Sequence, residues 1–398
     1  MDLKVDQKID EIKTDFAQQL EIAKDQGKKV VGCLCSYFPS EIALAAGAIT
    51  VGLCGTTEGP IEAAEKVLPA DQCPMVKATY GRAINNTCPI FPLTDCIVGE
   101  TTCDGRKKMY ELLGREKPMH IMDLPQKPDE PEAQVHWLAE VKKLKAFLEN
   151  QLGVVITDTA LKEAIRQGNR IRELLTQIHE CRKHQPPPIM GLDLVSLSTK
   201  MGYSVSRLSY IDQLEMVLAE LKQRIQNNYY ACEPERPRIL WTGLGNSLGC
   251  DKVLRTVEEC GGVVVCQEGC GGITRLNDPI DTQKDPLEAI AERYLRVTCS
   301  CMTPNNTRLN DIDLLIDEYN IDGVIDLTWQ FCHGFNIESY RVREIVSKKH
   351  GLPFLHIVTD YSQSDIGQIS VRVEGFIEQI MAGKENVYNR SAKSLQSI

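Results

Sequence analysis

Short apolar runs alternate with amphipathic stretches at both ends of this chain, while the middle third shows helical periodicity alone. Residues 3–27 carry the 3.6-residue spacing of an amphipathic helix. KKVVGCLCSY, ITVGLCG, DCIVGE and MHIMDLP then follow as apolar runs of strand length, with turn formers around them. Between them PSEIALAAGA, IEAAEKVL and DGRKKMYELLG read as helices, the last with Asp104 as its cap. The texture changes at KPDEPEA. VHWLAEVKKLKAFLENQLG, TALKEAIRQGNRIRELLTQIHECR and LSYIDQLEMVLAELKQRIQNNYY are long helical patterns, with QPPPIMGLDL breaking the run and no strand-like segment among them. At CEPERPRILWTGLG the alternation returns, with RILWTG, GVVVCQE, GVIDLTW and FLHIVTD as strands. Strand alternating with helix predicts parallel sheets covered by helices. The expectation is an α/β protein with two parallel-sheet, Rossmann- or flavodoxin-like domains at 1–126 and 233–398, flanking a helical middle domain at 127–232.

Bulk properties narrow the class. The net charge of −10 over 398 residues leaves no basic footprint, so a nucleic-acid partner is not expected. No apolar run approaches the roughly 18 residues of a membrane helix. The N-terminus is charged and amphipathic rather than a signal peptide, which points to the cytoplasm. The 16 cysteines change the picture most. In a reducing compartment they serve as ligands or as small buried hydrophobes rather than as disulfides. Cys54, Cys96, Cys260 and Cys266 lie inside apolar runs and suit the second role.

The chemistry concentrates between Cys73 and Cys103. Cys73, Cys88 and Cys103 stand at equal intervals of fourteen intervening residues; two precede proline and the third precedes Asp-Gly. That is turn chemistry, able to aim thiolates at one point without a helix or strand intervening. Downstream lie Cys270, Cys299, Cys301 and Cys332. Parallel sheets bind ligands outside the carboxyl ends of their strands. Cys35, Cys103, Cys270 and Cys332 each follow a predicted strand, though the C-x-C pair of Cys33 and Cys35 also suits packing. Thiolates select iron–sulfur clusters, zinc or cuprous copper. The chain has no C-x2-C pair of the structural zinc type and no ferredoxin run, which favours a cluster held between two domains.

EIALAAGAITVGLCG, AAEKVLPADQCPMVKATYG, VGETTCDGRKKMYELLG, EAIAERYLRVTCSCMTPN, DGVIDLTWQFCHGFNIESYRVRE and HIVTDYSQSDIGQ together resemble the double-cubane cluster proteins. These are a branch of the superfamily of 2-hydroxyacyl-CoA dehydratase and benzoyl-CoA reductase subunits. The resemblance implies two four-iron cubanes joined by a bridging sulfide, each held by three cysteines. The implied ligands are Cys73, Cys88, Cys103, Cys270, Cys332 and one of Cys299 or Cys301. It further implies a homodimer reduced by a separate ATP-hydrolysing iron–sulfur activator, with a small molecule as substrate. The chain itself carries no G-x4-G-K-[ST] phosphate loop.

Other residues are weighed beside these. GLGNSLG at 243–249, with Glu268 further on, imitates a dinucleotide fingerprint, but its glycine spacing is one residue too long. A tight turn shaping the cleft is the simpler reading. His333, Glu100 and Tyr80 are proton-donor candidates beside the ligands, and Lys77 and Arg82 could balance cluster charge. DYSQSDIGQ at 360–368 precedes a helix whose N-terminus could face an anion. The leading expectation is an iron–sulfur reductase. The alternatives are a dehydratase subunit with a single four-iron cluster, and a cluster carrier or redox sensor without turnover.

Overall fold

The structure is a computed structural model describing residues 2–245, 247–269, 272–273 and 278–395, with side chains described up to 385. All eight apolar runs form strands. β1 (Val30–Cys33), β2 (Ile49–Gly52), β3 (Cys96–Glu100) and β4 (Met119–Met122) make one parallel sheet in the order β2-β1-β3-β4. β5 (Arg238–Gly243), β6 (Val263–Gln267), β7 (Gly323–Trp329) and β8 (Phe354–Thr359) make a second, in the order β6-β5-β7-β8. The two orders are the same when each sheet is counted from its own first strand. β3, β5, β6 and β7 are buried at every position, which is why they read as unbroken apolar runs.

The helices between the strands are α1 (Ile9–Asp25), α2 (Ser40–Ala45), α3 (Ile61–Ala64), α4 (Pro74–Ile84) and α5 (Asp104–Leu113) in the first part. The last part holds α10 (Lys252–Glu259), α11 (Pro286–Leu295), α12 (Asn306–Glu318), α13 (His333–Arg343) and α14 (Ile366–Leu395). Between them α6 (Pro131–Leu152), α7 (Asp158–Glu180), α8 (Gly191–Gly202) and α9 (Arg207–Gln226) form the helical middle, with no strand among its described residues. Three local expectations are corrected. α1 begins at Ile9, because Leu3 is drawn into the core of the middle helices beside Ile171 and Leu174. The cap of α5 is Cys103, whose sulfur accepts from the Arg106 amide, and Asp104 is the first helical residue. The Cys73–Cys88 interval is not a set of turns, for α4 occupies most of it, started by Pro74 at its first position.

One apolar cluster joins residues from all three stretches. It runs from Val31, Tyr37 and Val98 through Trp137, Val141 and Leu144 to Ile290, Leu295 and Val297. Polar contacts reinforce the same junction. The Tyr37 hydroxyl donates to the Val297 carbonyl at 2.6 Å, and the Tyr361 hydroxyl donates to the Gly55 carbonyl at 3.0 Å. Glu41 is buried between α7 and α11, where the Arg172 guanidinium donates to its Oε1 at 2.8 and 2.9 Å and the Tyr294 hydroxyl to its Oε2 at 2.8 Å. Close approach is enforced at Gly249, whose φ is +94° and where a Cβ would lie 3.0 Å from the Thr56 carbonyl oxygen.

Burial works to raise the Glu41 pKa, but the Arg172 charge and the hydrogen bonds from Arg172 and Tyr294 outweigh it and leave it below the usual range. A depressed folded pKa contributes stability above the unfolded value near 4.3 that is lost as pH falls through the folded one. Glu41→Gln is therefore expected to lower unfolding stability at neutral pH by about 2 kcal/mol. In urea titrations the gap between wild type and variant should shrink as pH drops below about 4.

Candidate metal centre

Three of the cysteines stand at helix starts. Cys73 is the N-cap of α4, Cys103 of α5 and Cys332 of α13. An N-cap takes the role of accepting from the unpaired amides of a helix's first turn, usually filled by an oxygen. At Cys103 the Arg106 amide donates to Sγ at 3.4 Å. At Cys73 the amides of Met75 and Val76, and at Cys332 that of Phe335, lie near enough to favour a thiolate without closing a cap bond. Each helix also turns its positive dipole end toward sulfur. Two of these helices come from the first sheet and one from the second, so the sheets meet at their carboxyl ends.

The thiols influence one another. Cys332 feels Cys73, Cys299 and Cys103, and Cys73 feels Cys103. Burial is the first cause that pushes the Cys73 and Cys332 thiols up. Cys299 is held well above its ordinary range, first by its hydrogen bond with Cys301 and then by burial. The Tyr37 hydroxyl lies 3.9 Å from the Cys301 sulfur, and the Asn305 amide donates to the Cys299 carbonyl at 3.0 Å. Arg106 reaches across the floor, donating to Met75 Sδ at 2.9 Å, to Cys54 Sγ at 3.5 Å and to the Leu34 carbonyl. The arrangement is crowded thiols beside a fixed cation. Metal binding would displace thiol protons, since the ligand form is the thiolate.

Among the described residues no three His, Cys, Asp or Glu side chains converge closely enough to hold one metal ion. A single tetrahedral ion draws its thiolates to within roughly 4 Å of one another, given a metal–sulfur bond of about 2.3 Å. A multinuclear cluster is several times wider than one ion and tolerates more open thiols. The donor set is soft, mutually facing and balanced by a guanidinium, and it fits such a group better than a lone ion.

The remaining expected site residues fall in different places. Cys270 lies outside the described residues. Cys88 is buried beyond the C-terminal end of α4, where Lys13 and Tyr203 feel its charge. α4 lies between Cys73 and Cys88 along the chain, and both pack on the apolar cluster beneath the first sheet. Cys33 donates to the Val51 carbonyl at 3.4 Å, and Cys35 packs against the shared apolar cluster. His333 opens α13 and is exposed, whereas Tyr80 is buried in the apolar cluster beneath the first sheet. Lys77 is engaged by Glu65 at 2.7 Å and the Ala70 carbonyl at 2.8 Å. Arg82 is engaged by Asp10 at 2.9 Å and Thr57 at 2.7 Å. Glu268 is held by Arg308 at 2.9 and 3.0 Å inside a buried network with Thr242 and Glu338, so the carboxylate of the dinucleotide-like pattern is already taken. In the 360–368 stretch Asp365 pairs with Lys252 just before α14.

Glu100 ends β3, fully buried, and neither carboxyl oxygen has a hydrogen-bond partner. Burial raises its pKa to about 8, against the nearby Arg106 charge. It is thus a held proton under the cleft. Two further features escape the sequence reading. Arg106 does carry a signal there, standing three positions after Cys103 on a helix start. Phe331, just before Cys332, carries none: its φ is +62°, a left-handed conformation unusual for a bulky residue, and it is 45% exposed. With Pro74, Lys77, Asp360 and Tyr361 it lines a cavity of about 400 Å³ beside Cys73 and Cys332.

Residues 35–380 match the family described as 2-hydroxyglutaryl-CoA dehydratase, D-component. The chain belongs to that family. It is 37% identical over 367 residues to the putative dehydratase subunit YjiM of Escherichia coli, covering 92% of this chain and 95% of that one. It is 20% identical over 370 residues to the beta subunit of (R)-2-hydroxyglutaryl-CoA dehydratase of Acidaminococcus fermentans, covering 90% and 94%. A benzoyl-CoA reductase subunit of Thauera aromatica is 24% identical over 177 residues, covering 44% and 45%. No described helix is long and apolar enough to cross a membrane.

Metal-free protein allows two tests. Glu100 favours its protonated form when folded, so its contribution to stability is present below the unfolded pKa near 4.3 and lost as pH rises through about 8. Glu100→Gln should therefore melt higher than wild type at pH above 8 and gain little at pH 5. Phe331→Gly should raise stability by about 1 kcal/mol through relief of the left-handed backbone, read from urea midpoints.

Proposed function

We propose that this protein is an iron–sulfur reductase, performing low-potential reduction of a small molecule with electrons from a separate ATP-hydrolysing partner. The observation that supports this most is the number of thiols at the cleft. Cys73, Cys103 and Cys332 start three helices there, Cys299 and Cys301 lie against them, and Cys270 follows β6 in sequence. That exceeds the three cysteines that the resemblance assigns to a single cluster. In this reading Cys73, Cys88, Cys103, Cys270, Cys332 and one of Cys299 or Cys301 hold the two cubanes, three to each. When bound, the double cubane would supply electrons at low potential.

The chain's own residues would prepare the site in defined ways. Arg106 offsets thiolate charge. Trp329 and Tyr361 stack edge to face at 5.0 Å between their ring centres, and with the Tyr361–Gly55 bond they hold bulk water from one side of the thiols. Glu100 holds a proton at its carboxyl at neutral pH, and the exposed His333 lies in contact with solvent. The absence of a phosphate loop in the sequence supports placing ATP hydrolysis on a partner. A homodimer is the proposed assembly, in the cytoplasm.

The names of the relatives favour a second reading, a dehydratase subunit acting on a CoA thioester, for which the resemblance implies one four-iron cluster. Metal analysis separates the two. Protein purified without oxygen should hold about eight irons and nine sulfides per chain, and Cys332→Ser should lower both. About four irons would select the dehydratase reading, and none in folded anaerobic protein would overturn both. Cys88→Ser should likewise lower both if Cys88 is among the six ligands.

A further inference from the structure

Beside Val297, whose carbonyl accepts from Tyr37, lies a second cavity, of about 310 Å³. It is walled by the segment after β1, by α7 and α9 from the helical middle, and by α11. Three guanidinium groups, those of Arg172, Arg207 and Arg293, line it, with Glu41 as the one carboxylate among the described wall residues. Arg172 is matched to Glu41, and Arg293 donates to the Asp278 carbonyl at 2.6 Å. Arg207 differs from both. It makes only a long bond, 3.4 Å, to the Ser40 hydroxyl, and no carboxylate among the described residues pairs with it. The Nε atoms of Arg172 and Arg207 are buried without a hydrogen-bond partner.

Arg207 is also misplaced for its own helix. It is the first residue of α9, a 20-residue helix with no acidic residue in its first turn. A cation at that end opposes the macrodipole, a conflict that an anion lying against it would remove. The rest of the wall mixes apolar and uncharged polar groups, with Ile171, Leu175, Val297 and the Tyr210 ring beside Ser36, Ser40 and Ser198. Burial lowers the pKa of His179 in the same wall to about 3, so it faces the space as a neutral ring. Guanidinium forks match the planar geometry of a carboxylate, and the apolar side suits a short carbon chain. The volume lies at the lower end of small-molecule sites, roughly 300–1,000 Å³, which admits a short acid but not a nucleotide-bearing thioester as a whole.

We infer that this cavity is a binding site for a small organic carboxylate, held by Arg207 with the Arg172 side chain beside it. The site does not depend on a cluster being present. It would hold an acid, or the acid end of a longer substrate, close to the thiols. Val297 lines the cavity, and the Tyr37 hydroxyl that donates to its carbonyl lies 3.9 Å from the Cys301 sulfur.

The test is calorimetric titration of metal-free full-length protein with succinate, and separately with inorganic phosphate. Succinate should bind saturably and more tightly than phosphate. Arg207→Gln should weaken it about tenfold or more, and Arg207→Lys by a smaller factor because charge is kept but the fork is lost. The exposed control Lys162→Gln should bind like wild type. Both Arg207 variants are first checked for wild-type thermal melting, and the lysine form serves if the glutamine form does not fold. Phosphate binding as tight as succinate would overturn the carboxylate assignment. Absence of saturable succinate binding, or binding indifferent to both Arg207 variants, would overturn the site. Iron content bears on the cluster reading and leaves this outcome untouched.

Discussion

Two parallel sheets set with their carboxyl ends toward one another create an electrostatic problem that the rest of the molecule answers. Carboxyl ends of parallel strands are where the following helices begin, so facing sheets bring several positive helix ends into one space. Left to themselves those ends repel and leave amides unpaired. Here the N-cap positions of α4, α5 and α13 are cysteines, which can meet the amides as thiols and take on negative charge when a metal is offered. The junction is then fastened from outside the cleft, by Tyr37 on Val297, Tyr361 on Gly55 and the buried Glu41 between Arg172 and Tyr294.

The two sheets repeat one topology, yet their supports differ. The first leans on α6 and α7 through a cluster that includes the fully buried Trp137. The second carries a buried ionic network in which Arg308 spans Glu268 and Glu338. A buried ion pair contributes less to stability than its Coulomb attraction suggests, because both charges lose water. Its geometric consequence is firmer: the network fixes the residue after β6, the N-terminal part of α12 and the middle of α13, the last of which begins just after Cys332.

Much of this is legible in the chain because its signals are local. Eight strands show as apolar runs, most plainly β3, β5, β6 and β7, since buried parallel strands need apolar side chains on both faces. The helical middle follows from periodicity. The misreadings are also local in kind. Equal spacing of Cys73, Cys88 and Cys103 with proline beside two of them suggests a run of turns, but Pro74 starts a helix that fills most of the first interval. Asp104 looks like the cap of α5 because sulfur is a rare cap. What no stretch of chain discloses is the set of contacts between residues far apart. Arg106 reaching Cys54, Tyr37 reaching Val297, and three arginines of separate elements sharing one space have no signature in any single window.

The shared apolar cluster carries a further meaning. Because Val31, Trp137 and Leu295 belong to a single packed body, α11 and the first sheet are not separate pieces joined by a tether. Separating them would expose indole and aliphatic surface at once, a sharply cooperative event rather than a graded opening. Traffic to the thiols would then have to use the cavities that the packing leaves, which makes their walls a sieve. In such an architecture selectivity belongs to the side chains along the route inward as much as to the sulfur at its end.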